Sequence, residues 1–442
     1  MRSFPWNNRI EKQSKFARLA RSSVIPLLLG TFILRTNTGA GSIVLGRFLA
    51  RLSAAHGHPI SSINVGLISV AYYIIELSLA PLLGAFSDRL GRRLFLVVGP
   101  FFGLTQVALL IFTPVANPFP YLIALQLLAG ISSAMQVPAA LGYLADFTAR
   151  EHSLRMRIMS MYELATSGGI AVGVVIGGFA WDRFGRYAFV LLAMNYLLVA
   201  LCMSLVPAVR QVIERGKMRT LARRFWRVIR TPRLFIFIPA WISINALVGV
   251  WLSSQLTFVL SEPRHEPHQF LVGSLSAAGS GGRLSLILGL YALFFGLCLL
   301  FWAFFLNRAP RLLLMLASIT GVYLACIALF GLNHSGFDLT PLLVLWVALL
   351  SLGVFAESSF APAALAYLAD ISEEVAKDRG LLMGLYAVFL GLGQLLGNGL
   401  GGVFAQVWGF DGLVYLTAIL AFIALVCLVS LSQLERRNAS AE

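Results

Sequence analysis

Charge is what this chain has least of. Only 12% of its 442 residues are Asp, Glu, Lys or Arg, where a soluble domain carries roughly a quarter. Acidic residues are the scarcer sign, 19 against 34 basic. With 58% hydrophobic residues and a mean hydropathy of +0.83, the chain has more apolar surface than a water-soluble interior can hide. Cysteine is also rare. Cys202, Cys298, Cys326 and Cys427 all fall inside apolar stretches, which excludes a disulfide framework and metal-ligand spacing. None of the six histidines lies within such a stretch, so a histidine proton relay is not expected. A phosphate-binding glycine loop with its lysine is missing, as is any polar segment long enough for an ATPase domain. No nucleophile and base pair or ligand cluster stands in the apolar stretches, so neither an enzyme nor a cofactor is expected.

What is present is a succession of long apolar runs. A membrane crossing takes roughly 20 mostly apolar residues, and such runs recur from Val24 to Leu431. They predict an all-α integral membrane protein of twelve spans, near 24–46, 62–86, 94–115, 120–145, 158–180, 187–207, 234–260, 284–305, 311–332, 341–368, 380–404 and 412–432. The first run is too long for a signal peptide and contains Arg35, so it is expected to be retained.

The net charge of +15 is explained by position. With a cytoplasmic N-terminus, six basic residues (Arg47, Arg51, Arg183, Arg186, Arg264, Arg283) lie on the outer side, Arg35 lies within the membrane, and the remaining 27 face the cytoplasm. This is the positive-inside pattern, and the anionic lipid of the inner leaflet is its partner. No nucleic acid is implied. The even span count returns the C-terminus to the cytoplasm, and a bacterial-type inner membrane is expected.

The basic segment Val209 to Arg233 divides the spans six and six. It predicts an N-terminal bundle at 1–207, a linker at 208–233 and a C-terminal bundle at 234–442. Leu221, Phe225, Trp226, Val228 and Ile229 interleave the linker's arginines, which fits either an amphipathic helix on the membrane surface or a solvated connection.

An internal repeat supports the division. Pro138 to Gly185 lies over Pro362 to Gly409 without a gap, and PAALGYLAD ending at Asp146 matches PAALAYLAD ending at Asp370. Arg155, Met159, Tyr162, Gly173, Gly177, Gly178 and Gly185 match Arg379, Met383, Tyr386, Gly397, Gly401, Gly402 and Gly409. More weakly, Asp88 to Arg92 lies over Asn307 to Arg311. Parallel repetition of six-helix halves is a transporter architecture.

The loop after the second span carries Gly84, Asp88, Arg89, Gly91, Arg92 and Arg93 in the order G-x-x-x-D-R-x-G-R-R. This resembles the signature of the major facilitator superfamily, whose members are twelve-helix secondary transporters. The resemblance implies two six-helix bundles around a cavity that opens alternately to either side. It also implies that the first, fourth, seventh and tenth helices line that cavity, that the third, sixth, ninth and twelfth face lipid, and that the functional unit is a monomer. Two positions differ. Where proton-linked members carry an arginine four residues before a glycine, this chain has Gln126 before Gly130, and the glycine-rich fifth span lacks the proline expected in an antiporter.

A charge at mid-membrane costs roughly 2.5–3.5 kcal/mol on insertion scales, so Arg35, Glu76, Glu163 and Glu357 need reasons. Arg35 and Glu76 stand at similar depth on neighbouring spans and are expected to pair, either structurally or around substrate or a proton. Glu163 is within expected reach of Arg155 or Arg157. Glu357 has no basic residue at its depth and is the leading candidate for coupling to H+; the alternative is that it bonds Ser358 or Ser359. Asn37, Gln136, Asn245, Gln255, Gln394 and Asn398 are candidate solute contacts, with Trp241, Trp251, Tyr72 and Tyr73 as aromatic walls. The expected function is proton-coupled transport of a small organic solute, drug-like or a metabolite. The alternative is a facilitator-like protein that does not transport and serves as assembly factor, pigment carrier or sensor.

Overall fold

The structure, a computed structural model, describes residues 5–55, 60–114, 116–148, 152–208, 231–262, 268–276, 280–305, 310–335, 341–374 and 379–439. The linker expected at 208–233 lies almost wholly outside the described residues, as do the side chains of Arg155, Arg157 and Asp370. Every regular element described is helical. That is the outcome demanded by hydrocarbon, which offers no partner to an open backbone.

The helices are α1 (Pro5–Ala55), α2 (Ser62–Leu90), α3 (Arg92–Leu110), α4 (Pro118–Phe147), α5 (His152–Phe184), α6 (Ala188–Ser204), α7 (Pro232–Trp251), α8 (Ser254–Ser261), α9 (Ser280–Phe305), α10 (Arg311–Ser335), α11 (Pro341–Glu357), α12 (Phe360–Glu374) and α13 (Arg379–Ala439). Among the described residues nine helical stretches are long and apolar enough to cross a membrane. Two of these, Met161–Ser204 and Val388–Arg437, are 44 and 50 residues long, enough for two crossings each at roughly 20 residues per crossing. They turn at Gly185 (φ 55°) and Gly409 (φ 60°), in the left-handed region open to glycine.

Two expected spans are not continuous. The seventh breaks at Leu252 and Ser253, where Ser253 becomes extended and its hydroxyl accepts from the Gln255 N–H at 3.2 Å. The tenth breaks at Ser358 and Ser359, directly after Glu357. Pro362 has no N–H to give the Ser358 carbonyl, and the two serine hydroxyls occupy carbonyls of the preceding turn, Ser358 that of Phe355 (2.8 Å) and Ser359 that of Ala356 (2.7 Å).

Contacts divide the chain into two compact units. One comprises Met1–Gly41, Ile75–Pro114 and Pro120–Ile213; the other comprises Ser42–Ile74, Val115–Phe119 and Glu214–Glu442. The core of the first is built by Leu27, Leu96, Ala139, Leu144 and Val199, from α1, α3, α4 and α6. In the second, α9 turns Leu286, Ile287, Leu290, Leu293, Leu297 and Leu300 outward. Such a helix face is stable where the surrounding solvent is lipid.

Glycines set the closest helix contacts, and they do so identically in both units. Gly169 and Gly173 of α5 press on Phe32, Arg35 and Thr36 of α1, while Gly393 and Gly397 of α13 press on Ile242, Asn245 and Ala246 of α7. Gly39 meets Ile170 and Val174; Gly249 meets Gln394 and Asn398. The register that matches Gly173 to Gly397 in sequence therefore also matches their neighbours in space, and places Asn245 where the first half has Arg35. Small residues let membrane helices approach this closely.

A Cβ at Gly173 or Gly397 has no room against the facing carbonyl, whereas one at Gly41 meets nothing within 4 Å. Gly173→Ala and Gly397→Ala are expected to cost about 1–3 kcal/mol and to lower the Tm of the detergent-purified protein; Gly41→Ala should leave it unchanged. Equal Tm values for all three would contradict the packing described.

Candidate functional site

The signature loop is an ionic clasp. Gly91 stands at φ 103°, which lets α3 begin directly after α2 and brings Arg92 back over Asp88 at 2.9 Å. The same guanidinium reaches Asp146 at the C-terminal end of α4, with Nε to Oδ2 at 2.7 Å, and lies against Gly142, where a Cβ would collide with it. Gly84 faces Pro138 of α4. Arg93 donates to the Ser204 carbonyl at the end of α6 (2.6 Å), and Arg89 is exposed. Arg311, the counterpart of Arg92, donates to the Ala366 carbonyl at 3.0 Å, and Ala366 is the counterpart of Gly142. The second unit thus repeats the clasp's position.

Within the first unit, Arg35 interacts with Tyr162, which it reaches by a hydrogen bond, with Glu163 one residue on, and with Tyr196 of α6. Thr166 lies beside Tyr162. Glu163, expected to turn to Arg155 or Arg157, lies in the field of Arg35. Tyr162, Thr166 and Tyr196 were not foreseen from sequence, where aromatic and hydroxyl residues in apolar helices carry no pattern of their own. Glu76 accepts a hydrogen bond from Ser133 of α4 at 2.5 Å.

In the second unit Glu357 ends α11. Tyr291 of α9 and Cys326 of α10 lie within its electrostatic reach. Gly321 of α10 packs on its backbone N–H, and Trp302 of α9 donates to the Phe355 carbonyl at 2.7 Å. Ser358 and Ser359 turn their hydroxyls to the carbonyls of Phe355 and Ala356, and Ser359 also to that of Leu314 (3.1 Å). Among the described residues no hydrogen bond or ion pair to the Glu357 carboxyl is formed.

The candidate amides are mostly engaged inside their own bundles. Asn37 donates to the Leu192 carbonyl (2.9 Å), Gln136 to the Ser132 hydroxyl (2.9 Å), Asn245 to the Trp241 carbonyl (2.8 Å) and Asn398 to the Gln394 carbonyl (2.8 Å). Gln255 differs: it is 1% exposed, and neither amide atom has a partner among the described residues. Trp241 stacks between Phe237 and Phe360, both at 6.1 Å. Trp251 donates to the Thr417 hydroxyl (2.9 Å), and Tyr72 and Tyr73 meet edge to face at 4.9 Å.

Two further clusters in the second unit join distant segments. Gly46 packs on Ser254 and Thr257, Arg47 donates to the Ser280 hydroxyl at 3.1 Å, the Ser62 N–H donates to Gln406 at 2.9 Å, and Gly66 meets Gly402. At the end of α10, Asn333 and His334 hold Asp411 at 2.8 and 2.9 Å, while Gln269 accepts from the Phe410 N–H at 2.9 Å. The helix runs to Ser335, past the expected end near 332, and so includes His334.

A helical integral membrane protein with an internal repeat, in which Arg92 and its counterpart Arg311 lie against matching points of a facing helix, is the class these features define. The sequence profile described as Major Facilitator Superfamily matches residues 17–284 and 269–442. The chain belongs to that superfamily. It is 28% identical over 143 residues to Multidrug resistance protein 1 of Bacillus subtilis (strain 168), covering 32% of this chain and 35% of that protein. It is 24% identical over 376 residues to the MFS-type transporter SLC18B1 of Mus musculus, covering 83% and 77%. The chain spans only about a third of the length of the first curated relatives it matches. Among solved structures it is similar to the nucleoside transporter NupG, with TM-score 0.69 and 16% identity over 93% of this chain and 98% of that one. A D-xylose-proton symporter gives TM-score 0.63 and 15% identity over 92% and 96%. These likenesses concern the fold.

The clasp predicts an order of effects. The Asp146 side chain is 30% exposed and that of Asp88 53%, and exposed pairs contribute little. Asp146→Ala should lower Tm more than Asp88→Ala, with costs on the order of 1 kcal/mol or less; the reverse order would place the main tie of Arg92 on its own helix.

Proposed function

We propose that this chain is a secondary active transporter that moves a small organic solute, drug-like or a metabolite, across a bacterial-type inner membrane by alternating access, driven by protons. The observation that carries the reading is Glu357, a carboxyl within a membrane helix, at a helix break, with no hydrogen bond or ion pair among the described residues. A membrane-embedded acid without a fixed partner is retained for function by default, because its cost otherwise goes uncompensated. Such a group can take up and release a proton as its surroundings change between facing states.

The positive-inside pattern supports cytoplasmic termini, and two six-helix halves at 1–207 and 234–442 joined by the basic linker remain the proposed organisation. Multidrug and tetracycline resistance proteins among the relatives support a drug-like solute. The monomer is the proposed functional unit.

The test is a thermal-shift screen of the purified protein against a panel of metabolites and toxic cations at two pH values, since a ligand raises stability by mass action, about 2.7 kcal/mol at a hundredfold excess over Kd. At least one compound is expected to raise Tm with a pH-dependent affinity. Glu357→Gln should keep the binding and lose its pH dependence. Unchanged pH dependence in the variant would remove Glu357 from the coupling role.

A further inference from the structure

Three helices of the second unit leave a groove of about 670 Å³ between them, lined by Tyr323, Phe330 and His334 of α10, Trp346 of α11, and Tyr415 and Ala418 of α13. Its cause is a change of contact along α10 and α11. At one level Gly321 and Gly353 let the two backbones touch, so that an added Cβ at either would meet the facing main chain. Further along, the indole of Trp346 stands between them against Gly331, and its N–H donates to the Ser335 hydroxyl at 2.8 Å. A side chain thus spaces the helices where glycine had joined them.

The walls offer hydrocarbon, because their polar atoms are already used. The Tyr323 hydroxyl donates to the Ala418 carbonyl at 3.3 Å and the Cys326 thiol to that of Val414 at 3.9 Å. A solute site carries polar groups that fix its ligand's orientation, and the length of this groove has none to spare. It opens past Ile327, Phe330 and Tyr415, which are exposed, and Tyr415 continues into the exposed Ile419 and Phe422 on one face of α13. Such a face is stable against lipid, so the groove is continuous with the membrane-facing surface. From Tyr323 to His334 it follows α10 for about 16 Å at a rise of roughly 1.5 Å per residue, close to half of the roughly 30 Å hydrocarbon core. One end is polar. There Asp411 holds His334 through Nε2 at 2.9 Å, and the Nδ1 of that ring has no partner among the described residues. Trp346 and Tyr415 stand near the same end, as aromatics do at the membrane interface.

We infer that this groove holds one acyl chain of a membrane phospholipid, drawn from the leaflet at the C-terminal end of α10, with its head group at His334. The inference is independent of the solute and of the driving force. A phosphodiester oxygen accepts from Nδ1 when the ring is protonated, and a head-group ammonium or hydroxyl donates to it when the ring is neutral. The head group is therefore met in either state. Lipid tails are as apolar as leucine, so what the chain gains along the groove is close contact with walls that would otherwise face a void.

The test uses the purified full-length chain in liposomes of palmitoyl-oleoyl phosphatidylethanolamine and phosphatidylglycerol, with a trace of phospholipid bearing a photoreactive diazirine on one acyl chain. Label is expected on Ile327, Phe330 or Tyr415 well above that on Val344, an exposed residue of the neighbouring α11. Ala418→Phe, which fills the groove from α13, and Ile327→Trp, which closes its mouth, should each remove the excess, whereas Val344→Phe keeps it. Native mass spectra of the detergent-purified wild type should also retain a single phospholipid after loosely held lipid is stripped. Even labelling of Ile327 and Val344, an excess that survives both groove variants at unchanged Tm, or a wild type that retains no phospholipid overturns the proposal. So does displacement of the label by a solute that stabilises the protein, which assigns the groove to solute. Absence of the excess in a chain that migrates as a dimer overturns it too, and assigns the face to a second copy.

Discussion

Hydrocarbon gives a polypeptide no hydrogen bonds, so each backbone N–H and C=O of a spanning segment must find its partner inside the protein. Long helices meet that demand by default. The informative places are the two helix breaks, and both are repaired by serine. Ser253 supplies the acceptor that starts α8, while Ser358 and Ser359 return their hydroxyls to the carbonyls at the end of α11. At the second break these short hydroxyls are used up on the backbone, which leaves the adjacent Glu357 carboxyl without them. The structural repair and the functional candidate are thus two consequences of one local sequence, Glu357-Ser358-Ser359.

The same absence of water changes what holds the helices together. Lipid tails are as apolar as leucine, so association depends on close packing, and glycine is the residue that permits it. Gly169 and Gly173 seat α5 on α1 as Gly393 and Gly397 seat α13 on α7. The first glycine of each pair lies against Arg35 in one half and Asn245 in the other. A shared scaffold therefore carries unlike side chains at equivalent points, a charge in one half and an amide in the other. This is the freedom by which two copies of one bundle can diverge in solute contacts without losing their packing.

Much of this was legible in the sequence because it depends on local pattern. Apolar run length gave the helical membrane class, the ungapped match of 138–185 to 362–409 gave the repeat, and the spacing from Gly84 to Arg93 gave the superfamily resemblance; that Arg92 ties Asp88 to Asp146 came with the structure. What escaped depends on side-chain rotamers and on contacts between residues far apart in the chain. Of the candidate solute amides, Gln136, Asn245 and Asn398 donate one turn back on their own helices and Asn37 donates across to the Leu192 carbonyl, choices that residue type alone does not fix. The partners of Asp411 come from Asn333 and His334, with Gln269 bonding the same turn, three separate segments with no common motif. The breaks at Ser253 and Ser358 carry only a weak local signal, since serine is tolerated in unbroken membrane helices too.

The most direct test of the account is solute accumulation in proteoliposomes of the purified protein under an imposed pH gradient, using a compound that stabilises it. The account predicts accumulation that follows the gradient, reverses when the gradient is inverted and collapses with a protonophore. A well-folded protein that binds the compound yet moves it at the same rate with and without the gradient would contradict it.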